Sequence, residues 1–171
     1  MTTIETTTMA TPAGPLTLLA ADGVLLAAGF TGDAAALRAR LRPPLRDAPV
    51  RRRVDLGDLS GALAAYLDGD LQAPSRLPVV QTGTEGQRRV WEALRAVPPG
   101  RTVTYAQLAR HAGHAGAARA AGAACGANLL APVVPCHRAV RSDGTVGGYA
   151  YGPAAKRWLL DHERRHRRSD A

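Results

Sequence analysis

The chain has 171 residues, enough for one globular unit or two small ones with a real core, and no run of about 18 apolar residues that could span a membrane. Its net charge is +8, carried almost wholly by arginine, with Lys156 the only lysine. A balance this basic favours polyanion partners through counterion release, although arginine that merely solvates a surface gives the same total.

Residues 1–10 are rich in threonine and lack the basic and apolar blocks of a leader, so a cytoplasmic protein is expected. Residues 16–20 and 24–30 are apolar runs on either side of Asp22-Gly23. That pair predicts a two-residue hairpin, because both turn positions need positive φ. Gly14-Pro15 marks the turn before it. Residues 33–41 carry helical spacing in Ala36, Leu37 and Leu41. Residues 42–53 contain Pro43, Pro44 and Pro49 and are expected to form an exposed loop. A short helix is predicted over 59–67, with Leu63 and Tyr66 inward, then an extended stretch over 76–80.

The character changes near residues 81–83, and the chain beyond reads as helical. Thr84 with Gln87 makes a capping box ahead of Val90, Trp91 and Leu94, which share a face. Pro98-Pro99-Gly100 stops that helix. Thr104 with Gln107 opens a second helix through His111, and a third is predicted over 115–127. The pattern implies an α+β fold. A small N-terminal β-sheet domain with flanking helices is expected over 1–80, and a mostly helical C-terminal domain containing a helix-turn-helix over 81–171. The third helix is a thin rod of alanine and glycine whose only long side chain is Arg119. Small residues serve close packing on a neighbouring helix and equally serve entry into a narrow DNA groove.

Two cysteines, Cys125 and Cys136, are too few for a disulfide framework, and no paired C-x-x-C offers a zinc site. His162 and His166 stand four apart in a basic tail, where a frayed helix face explains them. No metal and no cofactor are expected. Cys125, among alanines, reads as a small inert hydrophobe. Cys136 differs because Pro132 and Pro135 hold its approach extended and His137 follows it. A thiol attacks only as thiolate and needs a base or positive charge nearby. Glu163 in the last helix could orient His137, which would make a Cys-His-acid relay.

Pro135-Cys136-His137-Arg138-Ala139-Val140 resembles the active-site signature of the O6-alkylguanine-DNA alkyltransferases. The likeness extends, in family order and spacing, through residues 14–18, 87–91, 97–100, Thr104-Tyr105, Ala118-Arg119-Ala120, Asn128, Gly147-Gly148-Tyr149 and residues 158–163. It covers nearly the whole chain and is strongest over 83–163.

The resemblance implies stoichiometric DNA repair, in which the alkyl group of O6-alkylguanine moves to Cys136. It implies double-stranded DNA as partner and O4-methylthymine as a second candidate substrate, while nothing in the chain demands more than a monomer and no membrane partner is expected. His137 would deprotonate the thiol through a water, with Glu163 holding the imidazole. Tyr105 would protonate the guanine ring and crowd the DNA backbone. Arg119 would fill the gap left by a base flipped from the minor-groove side, flanked by Ala118, Ala120 and Gly122 at the DNA. Asn128 would brace the turn before the active-site strand. Val134, Pro135, Tyr149, Ala150 and Tyr151 would form the substrate pocket. The chain departs from the family pattern at Gly86, Pro99, Ala139, Ala150 and Tyr151, the last of which could narrow the pocket. Two other readings stay open: a lesion sensor without chemistry, which Cys136 argues against, and a thiol hydrolase or redox protein, which leaves Arg119 and Tyr105 unexplained.

Overall fold

The structure is a computed structural model, and it describes residues 1–167. Its contacts divide into two compact units, residues 1–81 with 129–133, and residues 82–128 with 134–167. A single cut at 80/81 therefore leaves out a five-residue strip, 129–133, that belongs with the first unit.

The first unit is built on a four-stranded sheet in the order β3-β2-β1-β4, with β1 at Ile4–Met9, β2 at Leu16–Ala21, β3 at Val24–Gly29 and β4 at Val50–Arg52. The hairpin forms at Asp22-Gly23, with φ of 51° and 78°. Asp33 caps α1 (Ala34–Ala39) by accepting from the Ala36 amide at 2.9 Å. Ile4, Leu19, Leu26, Ala27, Leu37 and Leu41 make one apolar cluster. The second helix, α2 (Asp58–Leu67), buries Leu63 and Tyr66.

This half holds one strand that the sequence does not single out and two places where the reading needs correction. Residues 4–9 form a full strand although half of them are threonine, because β-branched side chains suit a pleated surface even when polar. Thr6 and Thr17 are buried, and their hydroxyls donate to the Leu18 and Thr31 carbonyls. The proline-rich stretch is not wholly loop, since β4 pairs in parallel with β1 once Pro49 is passed. Arg76 closes a short 3-10 turn, so the extended stretch begins at Leu77.

The strip 129–133 hydrogen-bonds to β3. The Ala28 amide donates to the Leu129 carbonyl at 2.7 Å, and the Ala131 amide donates to the Ala28 carbonyl at 3.1 Å.

In the second unit α3 (Glu85–Arg95) and α4 (Tyr105–His111) each open with the expected capping box, at Thr84/Gln87 and Thr104/Gln107. Each box satisfies two otherwise orphaned donors, a contribution of about 1 kcal/mol. Between them lies β5 (Val103–Thr104), paired in parallel with β6 (Ala139–Val140). The next helix, α5 (Ala118–Ala127), begins three residues later than the sequence suggests, because Gly116 at φ 84° breaks the backbone path before it. It turns Ala121 and Ala124 inward, and its Ala124 carbonyl accepts from the Trp91 indole at 2.9 Å. A Cβ on Gly83 would come within 2.5 Å of the Trp91 ring, so only glycine allows that indole its place.

The last helix, α6 (Pro153–Arg167), absorbs most of the basic tail. Arg164, Arg165 and Arg167 are helical, while Arg168 lies outside the described residues. His162 is not on a frayed face: it is buried and stacks on Trp158 at 4.6 Å between ring centroids.

Candidate functional site

The stretch from Asn128 to Arg138 sets the site. Asn128 is the C-cap of α5 and almost fully buried. Its side-chain amide donates to the Val134 carbonyl at 2.8 Å and to Cys136 Sγ at 3.2 Å. One planar group therefore fixes both the incoming backbone and the sulfur. Cys136 opens a 3-10 turn, Cys136–Arg138, and keeps 8% of its surface exposed. Burial pushes its thiol pKa up, opposed by the Asn128 hydrogen bond and the nearby Lys156 ammonium.

His137 and Glu163 are both fully buried, and His137 Nε2 lies 2.8 Å from Glu163 Oε1. The carboxylate also accepts from Arg138 Nη2 at 2.8 Å, from Arg138 Nε at 3.0 Å and from the Gly100 amide at 3.2 Å. Burial alone would raise its pKa, but His137 and Arg138 outweigh that and hold Glu163 well below the usual carboxylate range. An ionised carboxylate only accepts, so Nε2 must carry the ring proton. Burial lowers the His137 pKa despite Glu163, which leaves the imidazole neutral near pH 7. Nδ1 is then the basic nitrogen, and it has no hydrogen-bond partner among the described residues.

Tyr105, the first residue of α4, is half-buried. A Cβ on Gly147 would meet its hydroxyl at 3.2 Å, and one on Gly122 its ring at 3.9 Å. Burial, and then the two cysteines, raise the Tyr105 pKa, so the phenol keeps its proton at neutral pH. Tyr149 and Tyr151 meet edge to face with ring centroids 5.6 Å apart. Val134 and Pro135 are buried and Ala150 is exposed.

Arg119, Ala120, Ala123 and Gly126 form the exposed side of α5, while Ala118 and Gly122 are half-buried. Arg119 has no hydrogen bond or ion pair among the described residues, and nothing longer than a methyl stands beside it on that side. The structure thus gathers Asn128, Val134, Cys136, His137 and Glu163 through direct bonds. It leaves Arg119 reaching outward.

Two site residues escaped the sequence reading. Arg138 pairs with Glu163 and also donates from Nη1 to the Val97 carbonyl at 2.7 Å, so its charge balances the buried carboxylate. Lys156 is fully buried in α6 and donates to the Ala139 carbonyl at 2.6 Å and the Gly148 carbonyl at 3.2 Å. Its ammonium is 5.8 Å from the Tyr105 ring centroid. One signal was available: a single lysine in a chain that otherwise uses arginine. Cys125 is half-buried, with its pKa pushed up to about 12 by burial and by Cys136, which keeps it a thiol.

Residues 85–165 match the family described as 6-O-methylguanine DNA methyltransferase, DNA binding domain. The chain is 51% identical over 107 residues to the methylated-DNA–protein-cysteine methyltransferase of Salmonella typhimurium, a match covering 63% of each protein and so less than two thirds of that relative. It is 33% identical over 152 residues to the methylated-DNA–protein-cysteine methyltransferase of Methanosarcina acetivorans, covering 89% of this chain and 93% of the relative. Among solved structures it resembles the Mycobacterium tuberculosis O6-methylguanine methyltransferase, with a TM-score of 0.77, 32% identity, and 97% and 94% of the two chains covered. A structure of Mycobacterium tuberculosis OGT in complex with DNA matches with a TM-score of 0.78 and 32% identity, over 95% and 94% of the two chains.

Proposed function

Since this chain belongs to the methylated-DNA–protein-cysteine methyltransferase family, we propose that it repairs duplex DNA by taking the alkyl group of O6-alkylguanine onto Cys136. The observation that carries this reading is the hydrogen-bonded set in which Asn128 holds the sulfur and Glu163 fixes the His137 tautomer with Nδ1 as acceptor.

The thiol proton passes to His137 Nδ1 through a water as the sulfur attacks the alkyl carbon. A carbon–sulfur bond forms and the carbon–oxygen bond to guanine breaks. The neutral Tyr105 phenol gives its proton to the departing base, since neutral guanine leaves more easily than its anion. His137 and Tyr105 then return to their starting states by exchange with solvent. Because burial keeps the thiol protonated at rest, the proton moves during attack. The thioether product has no good leaving group, so each molecule acts once and needs no cofactor.

The target oxygen is stacked inside the duplex, and the base must be swung out at a cost of a few kcal/mol. Helices α4 and α5 serve as a helix-turn-helix in the minor groove, where the nearly bare outer side of α5 fits. Arg119 enters the stack in place of the base. Ala118, Ala120 and Gly122 border the DNA, and Val134, Pro135, Tyr149, Ala150 and Tyr151 line the pocket. All reacting groups come from one chain, so a monomer acting in the cytoplasm suffices.

The test is incubation with a duplex carrying O6-methylguanine, followed by intact mass measurement. The expected result is a gain of one CH2 that is lost in Cys136→Ala. No mass change in the parent chain would overturn the reading.

A further inference from the structure

Between residues 38 and 53 the chain places seven arginines, Arg38, Arg40, Arg42, Arg46, Arg51, Arg52 and Arg53, against one acid, Asp47. All but Arg38 are exposed. Two ion pairs in this run, Arg46–Asp47 and Arg53–Glu5, are both 3.4 Å long and open to solvent, so neither holds its arginine firmly.

The run borders a cleft of about 530 Å³ in the first unit, lined by Arg38, Arg52 and Arg53 together with Thr6, Thr7 and Thr8, and no carboxylate lines it. The three threonine hydroxyls already have partners, the Leu18 carbonyl, the Val54 carbonyl and the Thr17 hydroxyl. The donors left over are guanidinium. Arg52 has no partner among the described residues, and Arg38 donates from Nη2 to the Ala48 carbonyl while its Nε has none.

Planar guanidinium donors in a cleft that no carboxylate lines match phosphate oxygens. One small anion would need only the cleft. The exposed arginines beyond it, Arg42 and Arg46, call for a ligand that repeats its charge. We propose that this face of the first unit is a second DNA contact, holding backbone phosphodiesters with Arg52 and Arg53 at its centre. It rests on the reading of the chain as a DNA-binding protein and adds a surface outside residues 82–167. These contacts carry no sequence information. They would set affinity and residence on undamaged DNA.

The test is binding of a labelled, unmodified duplex by fluorescence anisotropy across a potassium chloride series. Three full-length proteins are compared, the parent, Arg52→Gln/Arg53→Gln and Arg52→Lys/Arg53→Lys. Each phosphate neutralised contributes about 0.9 to the slope of log K against log salt, so the Gln variant should be shallower by about 2. The Lys variant should recover the parent slope. A Gln variant that keeps the parent slope overturns the proposal, as does a loss that lysine does not restore, or a parent that binds no duplex at all. Methyl transfer to Cys136 from an alkylated duplex is scored separately, so the repair reading can fail while the slopes still decide this one.

Discussion

The Glu163 carboxylate accepts the Nε2 proton of His137 at 2.8 Å, with both side chains fully buried. That bond turns Nδ1 toward base chemistry, and Arg138 makes it stable by neutralising the carboxylate through both of its oxygens.

Glu163→Gln should therefore cost more stability than a typical core polar change. It leaves the Arg138 guanidinium buried without its counter-ion, a loss of about 3 to 5 kcal/mol. Urea unfolding at pH 7 measures it, and a loss below about 1 kcal/mol would contradict the pairing. In the parent the carboxyl titrates well below its usual 4.5, so its stabilisation is complete above that pH and fades as pH falls further. The urea midpoint should drop on acidification below this point, and Glu163→Gln should flatten the drop.

The pH dependence of alkyl transfer should have its acid limb on the low side of 6.5, the ordinary histidine value, because burial lowers the His137 pKa. Quenched-flow rates on O6-methylguanine DNA would reveal it. A rate already falling between pH 8 and 7 would argue against a neutral His137 as base.

Asn128→Ala removes the side-chain amide that donates to Cys136 Sγ and to the Val134 carbonyl. A hydrogen bond to developing negative charge is worth about 1.5 to 3 kcal/mol, so single-turnover transfer should slow about 10- to 100-fold. An unchanged rate would mean that the sulfur needs no such brace.

Arg119→Ala should slow repair within a duplex far more than reaction with free O6-methylguanine base, since Arg119 is exposed and makes no hydrogen bond or ion pair among the described residues. Equal slowing of both substrates would count against a role in filling the stack.

Gly86→Ala should stabilise the protein by about 0.5 to 1 kcal/mol, because alanine loses less backbone entropy in a helix. The added Cβ meets only His114 Nε2, at an ordinary 3.8 Å, beside a pocket of about 220 Å³ among α3, α4 and α5. Thermal melting decides it, and a lower melting temperature would mean the space is not available.

Much of this was legible in the chain. Both capping boxes, the Asp22-Gly23 turn and the inward pair Leu63 and Tyr66 follow from local rules, and locality is what a sequence displays. β1 and β4 escaped because their partners are distant: threonine spacing and a post-proline arginine run carry no apolar alternation until a neighbouring strand is known. The Cys136-His137-Glu163 grouping was readable through resemblance. The parts played by Arg138 and Lys156 were not, since each depends on which carbonyls and carboxylates the fold brings near a buried cation.

Leu129 and Ala131, which hydrogen-bond to β3, lie in the strip that leads from Asn128 toward the turn that bears the sulfur. The two units are therefore not interchangeable cartridges. A graft of the helical half onto another host would carry residues 129–133 as a tether whose moorings had stayed behind.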